Sequence, residues 1–167
     1  RQVCGPLNVN KLGVTYVHEH LMVKPQLPDE YYIPYTLDDE AASTEETRSF
    51  SAAGGETLVE MTPINYGRNV KAYQRIAQAT GVHVICCTGF HKQLFMPPWF
   101  GDKTDGELYD ILMDEVTNGL DGTEIHPGVI KLGTSFEEVT AAEKRSIEAV
   151  ARVHRDTGIP ISTHCDK

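Results

Sequence analysis

Short apolar, β-branched runs alternate along the chain with longer segments whose apolar residues recur every three or four positions. The runs Val14–Val17, Thr57–Met61, Val82–Thr88, Val129–Leu132 and Ile159–Thr163 predict strands. The segments near Asp38–Ala53, Arg68–Thr80, Thr104–Asn118 and Thr140–Thr157 predict helices. Alternation of this kind is the signature of βα units that build a parallel sheet. Two helix starts carry a capping box, Thr104 with Glu107 and Thr140 with Glu143, in which a hydroxyl and a later carboxylate satisfy each other's free amides. Two helices stop on the same phrase, Ala79-Thr80-Gly81 and Asp156-Thr157-Gly158, where glycine suits the positive φ that follows a helix. The recurring order of helix, Thr-Gly and strand suggests one βα unit repeated. No low-complexity segment or interdomain linker interrupts it.

Two connections are too long to be mere turns. Leu21–Leu37 contains Pro25, Pro28, Pro34 and three tyrosines, and Phe90–Asp102 is dense in aromatic residues. Both follow strands, which places them at the carboxyl end of a parallel sheet, the ligand-binding end of such folds. Packing of their aromatics as a lid over the core is an equally good reading, and the two are compatible.

Composition narrows the function classes. The chain has 167 residues, 40% of them hydrophobic, with 15 basic and 24 acidic side chains and a formal net charge of −9. An acidic chain without a basic run makes nucleic acid or an anionic membrane a poor partner. No run approaches the ~20 apolar residues of a membrane span. No charged-then-apolar leader follows Arg1, so no targeting signal is expected. The four cysteines are sparse, and Cys86 and Cys87 are adjacent within an apolar run. That is no disulfide framework, and a reducing, cytoplasmic setting is expected. A complete eight-fold (β/α) barrel needs roughly 250 residues, so the chain is too short to be one.

Three features carry candidate chemistry. His18-Glu19-His20 closes the first strand, and side chains two apart on a strand share a face. Two neutral imidazoles there form a natural pair of transition-metal ligands, or else a surface or hydrogen-bonded core pair. Lys131 ends the apolar strand Gly128-Val129-Ile130-Lys131-Leu132-Gly133. Its ammonium either snorkels to solvent or has its pKa depressed. A neutral lysine can add carbon dioxide and become a carbamate whose oxygens bridge two metals. His164 ends the last strand, 33 positions after Lys131, which is about one βα repeat and predicts equivalent ends of neighbouring strands. His91 and Lys92 open the aromatic loop on the ligand side, where Lys92 suits an anionic group and His91 a carbonyl or hydroxyl. His83, His126 and His154 read as structural, the last continuing the helical stripe of Ile147, Val150 and Ala151. Cys165 points away from the ligand face and is not read as a nucleophile.

These residues, taken in order, resemble the phosphotriesterase family of the amidohydrolase superfamily. The resemblance runs from Gly13-Val14-Thr15-Tyr16-Val17-His18-Glu19-His20-Leu21 through Gly67-Arg68-Asn69, Ala79-Thr80-Gly81 and Thr88-Gly89-Phe90. It continues through Gly128–Gly133 and His154-Arg155-Asp156-Thr157-Gly158 to Pro160-Ile161 and His164. It implies an α/β fold, a TIM (β/α)₈ barrel of which residues 1–167 form the N-terminal part, about five βα units. It further implies two divalent metal ions, usually zinc, at the carboxyl rim. His18 and His20 would hold the more buried ion, Lys131 as N6-carboxylysine would bridge both and have the catalytic role, and His164 would hold the more exposed one. The implied reaction is attack of a metal-activated water on an ester, with cations ~3.5–4 Å apart. The substrate implied is a small-molecule ester or lactone.

His91 stands where many lactone- and phosphotriester-cleaving relatives carry an aromatic residue. The His91-Lys92 pair is closer to relatives acting on phosphorylated sugar lactones, with Lys92 on the anion. A phosphotriester substrate is the alternative, as is a non-catalytic partial-barrel metal-binding domain. The resemblance also allows a homodimer of the full-length enzyme. The family needs a histidine after the sixth strand and an aspartate after the eighth, and neither position exists here. Glu60 and Asn69 stand where aspartate is more usual. A piece of a barrel exposes two strand edges, and Val82–Cys87 and Ile159–Ile161 are apolar enough to expect cover from further units. By itself the fragment is expected to bind metal poorly and to catalyse nothing.

Overall fold

Each of the five apolar runs forms a strand and each of the four periodic segments a helix in a computed structural model that describes residues 1–25, 27 and 36–166. The strands are β1 (Thr15–Glu19), β2 (Thr57–Glu60), β3 (His83–Gly89), β4 (Val129–Thr134) and β5 (Ile161–Cys165). They pair in parallel in the order β1-β2-β3-β4-β5. Helices α1 (Glu40–Ala52), α2 (Val70–Thr80), α3 (Asp105–Asn118) and α4 (Ala141–Thr157) make the crossovers. Because every crossover lands on the next neighbour, the sheet has no switch point. It is a barrel wall rather than a doubly wound sheet.

Local chemistry sets the boundaries. Both capping boxes form, with Glu107 and Glu143 returning to their N-cap amides. Asn69 caps α2 through the Ala72 N–H at 3.1 Å, so that helix starts at Val70 and leaves Arg68 outside it. Proline cannot donate to a sheet ladder. Accordingly β5 begins at Ile161, and Pro160 contributes only its carbonyl, to Ile130 N–H at 2.8 Å. Gly81 and Gly158 end α2 and α4 at φ 76° and 73°.

The core lies between helices and sheet. One layer packs Tyr73, Ile76 and Val70 of α2 on Leu58, Val84 and Cys86. A second packs Leu108 and Leu112 of α3 and Val150 and Val153 of α4 on Ile130 and Leu132. Met61, Cys87 and Val129 fill a smaller cluster. Val82, Val84, Cys86 and Cys87 are buried within the chain itself and do not need the cover expected from further units, whereas Ile85, Ile159 and Ile161 remain half-buried. The first strand differs in the opposite sense. Val14, Tyr16 and Val17 are 59%, 54% and 70% exposed, because among the described residues β1 is an edge of the sheet. No cysteine is in a disulfide.

The aromatic loop contains two short 3₁₀ turns, Gln93–Phe95 and Pro98–Asp102. Phe90 meets Phe100 edge-on, with centroids 5.0 Å apart, within the α3–α4 core, so the lid-packing reading holds for these rings. Of the proline- and tyrosine-rich connection, Val23 and Leu37 close its two ends by mutual backbone hydrogen bonds. Pro28, Pro34 and the three tyrosines lie outside the described residues. His154 is exposed at the end of α4, with Nδ1 2.8 Å from Ile159 O, and does not continue a buried stripe. His126 is tied to Val116 O at 3.0 Å.

Candidate metal centre and its cleft

The carboxyl ends of the five strands carry the chemistry-bearing residues to one rim. In β1 the register slips. Tyr16 stands opposite Leu58 but Glu19 opposite Glu60, three steps against two, which is a bulge around Val17 and His18. His18, in the bulge, and His20, just beyond it, lie side by side, their ring centroids 5.6 Å apart. Lys131 is fully buried, between Gly89 of β3 and Ser162 of β5. Its Nζ lies 2.8 Å from His18 Nε2. The stem does not snorkel. Burial pushes the ammonium down to about 8, against a smaller opposing effect of Cys87 and Glu60. Burial, with Lys131 beside it, also lowers His18, and the same causes bring His20 down to about 3. The rim therefore holds bare imidazoles and an amine that loses its proton easily.

Gly89 makes this approach possible. At φ +110°, a Cβ there would sit 1.9 Å from Lys131 O. Gly133 does the same for the aromatic loop, since a Cβ would come within 2.7 Å of Lys92 N and 2.9 Å of His91 Nδ1.

His20 is held from below. Its Nδ1 is 2.8 Å from Thr62 Oγ1, and the Thr62 hydroxyl donates to Glu60 Oε1 at 2.6 Å. Glu60 and Thr62 are both buried, and Glu60 also accepts N–H from Leu21 and Thr62. Burial pushes Glu60 up to about 7, although these hydrogen bonds pull the other way. The sequence reading noted Glu60 but missed Thr62. The available signal was a carboxylate inside the apolar run Thr57–Met61, which needs a buried partner.

His164 stands opposite Gly133, whereas Lys131 stands opposite Ser162. The two are therefore not at equivalent positions as their spacing suggested. They are two residues out of step, which keeps them on one face and sets His164 nearer the rim. His164 Nε2 is 2.7 Å from Asp166 Oδ1 rather than on the Lys131 head. Asp166, which the sequence reading did not single out, also ion-pairs Lys92. Lys92 Nζ lies 5.9 Å from the Phe95 ring centroid. His91 is buried, its ring 4.7 Å from both His164 and Tyr66 and 4.8 Å from Phe95. Its Nδ1 accepts from Lys92 N–H at 2.7 Å, which leaves Nε2 to carry the proton of the neutral ring. Burial and the neighbouring His164 and Lys131 keep that ring neutral. Tyr66 likewise was not anticipated.

A cavity of about 480 Å³ opens among His20, Tyr66, His91, Lys92, Phe95 and His164. A hollow of similar volume between β1 and α1 contains none of these groups. Among the described residues, no three histidine, cysteine, aspartate or glutamate side chains converge closely enough to hold an ion. The donor chemistry of His18, His20 and Lys131 nevertheless fits a borderline metal such as zinc. Two imidazoles are nitrogen donors, and a carboxylated Lys131 would add oxygen where the bare amine now occupies His18 Nε2.

The sequence model of the phosphotriesterase family matches residues 1–167. The phosphotriesterase homology protein of Escherichia coli (strain K12) is 32% identical over 159 residues, covering 95% of this chain and 54% of that protein. The phospho-furanose lactonase of Mycoplasmopsis synoviae (strain 53) is 32% identical over 180 residues, covering 98% and 51%. Among solved structures, a lactonase from Listeria monocytogenes superposes with a TM-score of 0.92 at 32% identity, over 99% of this chain and 56% of that one. The chain spans about half the length of the curated relatives it matches.

Proposed function

This chain belongs to the phosphotriesterase family of hydrolases, and on that premise we propose that its rim is one side of a metal-dependent site that cleaves a lactone. The observation that carries the proposal is the meeting of His18 Nε2 and Lys131 Nζ at 2.8 Å beside His20, near the carboxyl end of β1 and within β4. Lys131 is the third of the six residues of β4 rather than at its end as expected. His18, His20 and Lys131, the last as a carbamate, would hold the more buried of two divalent ions, zinc being the expected one. Lys131 would also face the second, for which His164 is the ligand from β5. Such ions lower the pKa of bound water to about 7 and polarise the scissile carbonyl.

The chain's own groups supply the rest. Lys131, buried and readily deprotonated, presents the neutral amine that carbon dioxide requires; the N–C bond forms as the amine proton leaves. His91 presents its Nε2–H to the cleft as a hydrogen-bond donor for a substrate oxygen. Tyr66 and Phe95 form an aromatic wall that excludes water beside it. Lys92 is a cation at the cleft mouth; it is paired with Asp166, and an anionic substituent would compete with that carboxylate for it. That favours a phosphorylated sugar lactone, in keeping with the name of the Mycoplasmopsis relative.

The test is a panel of phosphorylated lactones, plain lactones and phosphotriesters, assayed on the full-length protein with its metal content measured. Preference for phosphorylated lactones, lost in Lys92→Ala through KM, is expected. Equal turnover of phosphorylated and plain lactones, or faster phosphotriester cleavage, would overturn the substrate assignment.

A further inference from the structure

The Thr62 hydroxyl has one proton; its close partners are Glu60 and His20, and the Tyr73 hydroxyl beside it donates its own proton to Met22 O at 3.1 Å. Thr62 Oγ1 lies 2.6 Å from Glu60 Oε1 and 2.8 Å from His20 Nδ1. Glu60 accepts the Leu21 N–H at Oε1 (3.2 Å) and the Thr62 N–H at Oε2 (3.1 Å). Backbone N–H groups can only donate, so both carboxyl oxygens are committed as acceptors, an arrangement that suits the anion. An ionised Glu60 takes the Thr62 hydroxyl proton, because a carboxylate has none to give. The Thr62 oxygen then offers His20 only lone pairs, and Nδ1 has to carry the imidazole proton. In a neutral imidazole the other nitrogen is then bare. Glu60 fixes the backbone as well, since the N–H it accepts from Leu21 directly follows His20. On the other flank the His20 N–H is held by Glu19 Oε1 at 2.9 Å.

We propose that Thr62, oriented by Glu60, is a positioning residue that locks His20 in its Nδ1–H tautomer and presents the Nε2 lone pair to the cleft as a ligand. With Glu60 ionised the tautomer follows from the hydrogen bonds, whereas its use for metal rests on the function proposed above. Partners of this kind, one shell out from a ligand, typically change metal affinity by 10–100-fold when removed.

The test uses full-length protein with ¹⁵N-labelled histidine, metal-free and at alkaline pH where Glu60 is ionised, with the His20 signals assigned through His20→Asn. The parent should show a protonated Nδ1 and a bare Nε2. Thr62→Val, which keeps the shape and removes the hydroxyl, should lose that tautomer and bind zinc about 10–100-fold more weakly in chelator competition. Thr62→Ser should restore both, which a purely steric role for Thr62 would not produce. An Nε2–H signal in the parent, or an unchanged tautomer in Thr62→Val, overturns the relay. In that event loss of zinc from Lys131→Ala would still uphold the metal site. A lost tautomer with unchanged zinc affinity overturns the assignment of His20 as a ligand.

Discussion

Lys131 and His18 are 113 positions apart in the chain, yet the lysine Nζ lies 2.8 Å from the histidine Nε2. Burial disfavours a positive charge on both, and Lys131 further disfavours one on His18. Two groups that would normally share protons at neutral pH are thus held where protons are unwelcome. This suits metal and carbon dioxide better than it suits the stability of the bare protein.

That conflict can be measured. In the full-length protein, Lys131→Ala should abolish hydrolysis and remove bound metal, from roughly two ions per chain. Lys131→Met should do the same, while the metal-free thermal midpoint stays level or rises, because an apolar side chain replaces a buried amine. A Lys131→Met protein that keeps its metal, or whose metal-free form unfolds well below the parent, would contradict the reading.

At the cleft mouth, Lys92→Ala should raise KM for a phosphorylated lactone by about tenfold or more, the worth of a hydrogen bond to a charged group. kcat should change little, since the role proposed for Lys92 is to bind a substituent rather than the reacting ester. Steady-state kinetics on a phosphorylated and a plain lactone separate the two effects.

Away from the site, Arg68 joins three elements. Its guanidinium is bidentate to Glu115 of α3 and pairs with Asp121, and its side chain is only 2% exposed. Arg68→Met leaves Glu115, at low exposure, without a counter-charge and with only the Thr88 hydroxyl (2.6 Å) as a partner, and should cost about 3–5 kcal/mol in denaturant unfolding. Arg68→Lys should recover only part, because an ammonium cannot make the bidentate contact.

Glu143 gives a pH signature. Burial opposes its ionisation, but hydrogen bonds from the Ser135 hydroxyl and from Gln93 and Thr140 N–H outweigh this and hold it below the ordinary value of 4.5. A depressed folded-state pKa means stabilisation that is full above 4.5 and is lost as pH falls through the lower folded value. Glu143→Gln should therefore destabilise by about 1–2 kcal/mol at neutral pH. The gap to the parent should close in acid, as read by thermal midpoints across a pH series.

The exposed edge also has a consequence. Produced by itself, the 167-residue chain should associate through β1, where Val14, Tyr16 and Val17 are open to solvent. Val17→Lys should shift it toward monomer in size-exclusion chromatography. A monomeric parent chain would show that the edge is protected in some other way.

Much of the fold was legible because its determinants are local. The hydroxyl–carboxylate spacing of Thr104 with Glu107 and of Thr140 with Glu143 fixes two helix starts whatever surrounds them. Gly81 and Gly158 fix two ends by the same logic. His18, His20, His91, Lys92, Lys131 and His164 could be named from their residue types and their places at strand ends. Relative positions were less legible. A spacing of 33 residues suggested that Lys131 and His164 were level, but hydrogen bonding between β4 and β5 sets a two-residue stagger that spacing alone does not encode.

The sequence by itself determined the parallel βα order and the side of the sheet on which the chemistry gathers, because strand periodicity and capping act over a few residues. Only the tertiary structure decided what each group faces there. It put Lys131 in the interior rather than at the surface, turned His164 toward Asp166, and set Thr62 between Glu60 and His20. Those contacts join strands and loops far apart in the chain. A proton's place on an imidazole, or an amine's willingness to lose one, depends on what packing brings within about 3 Å.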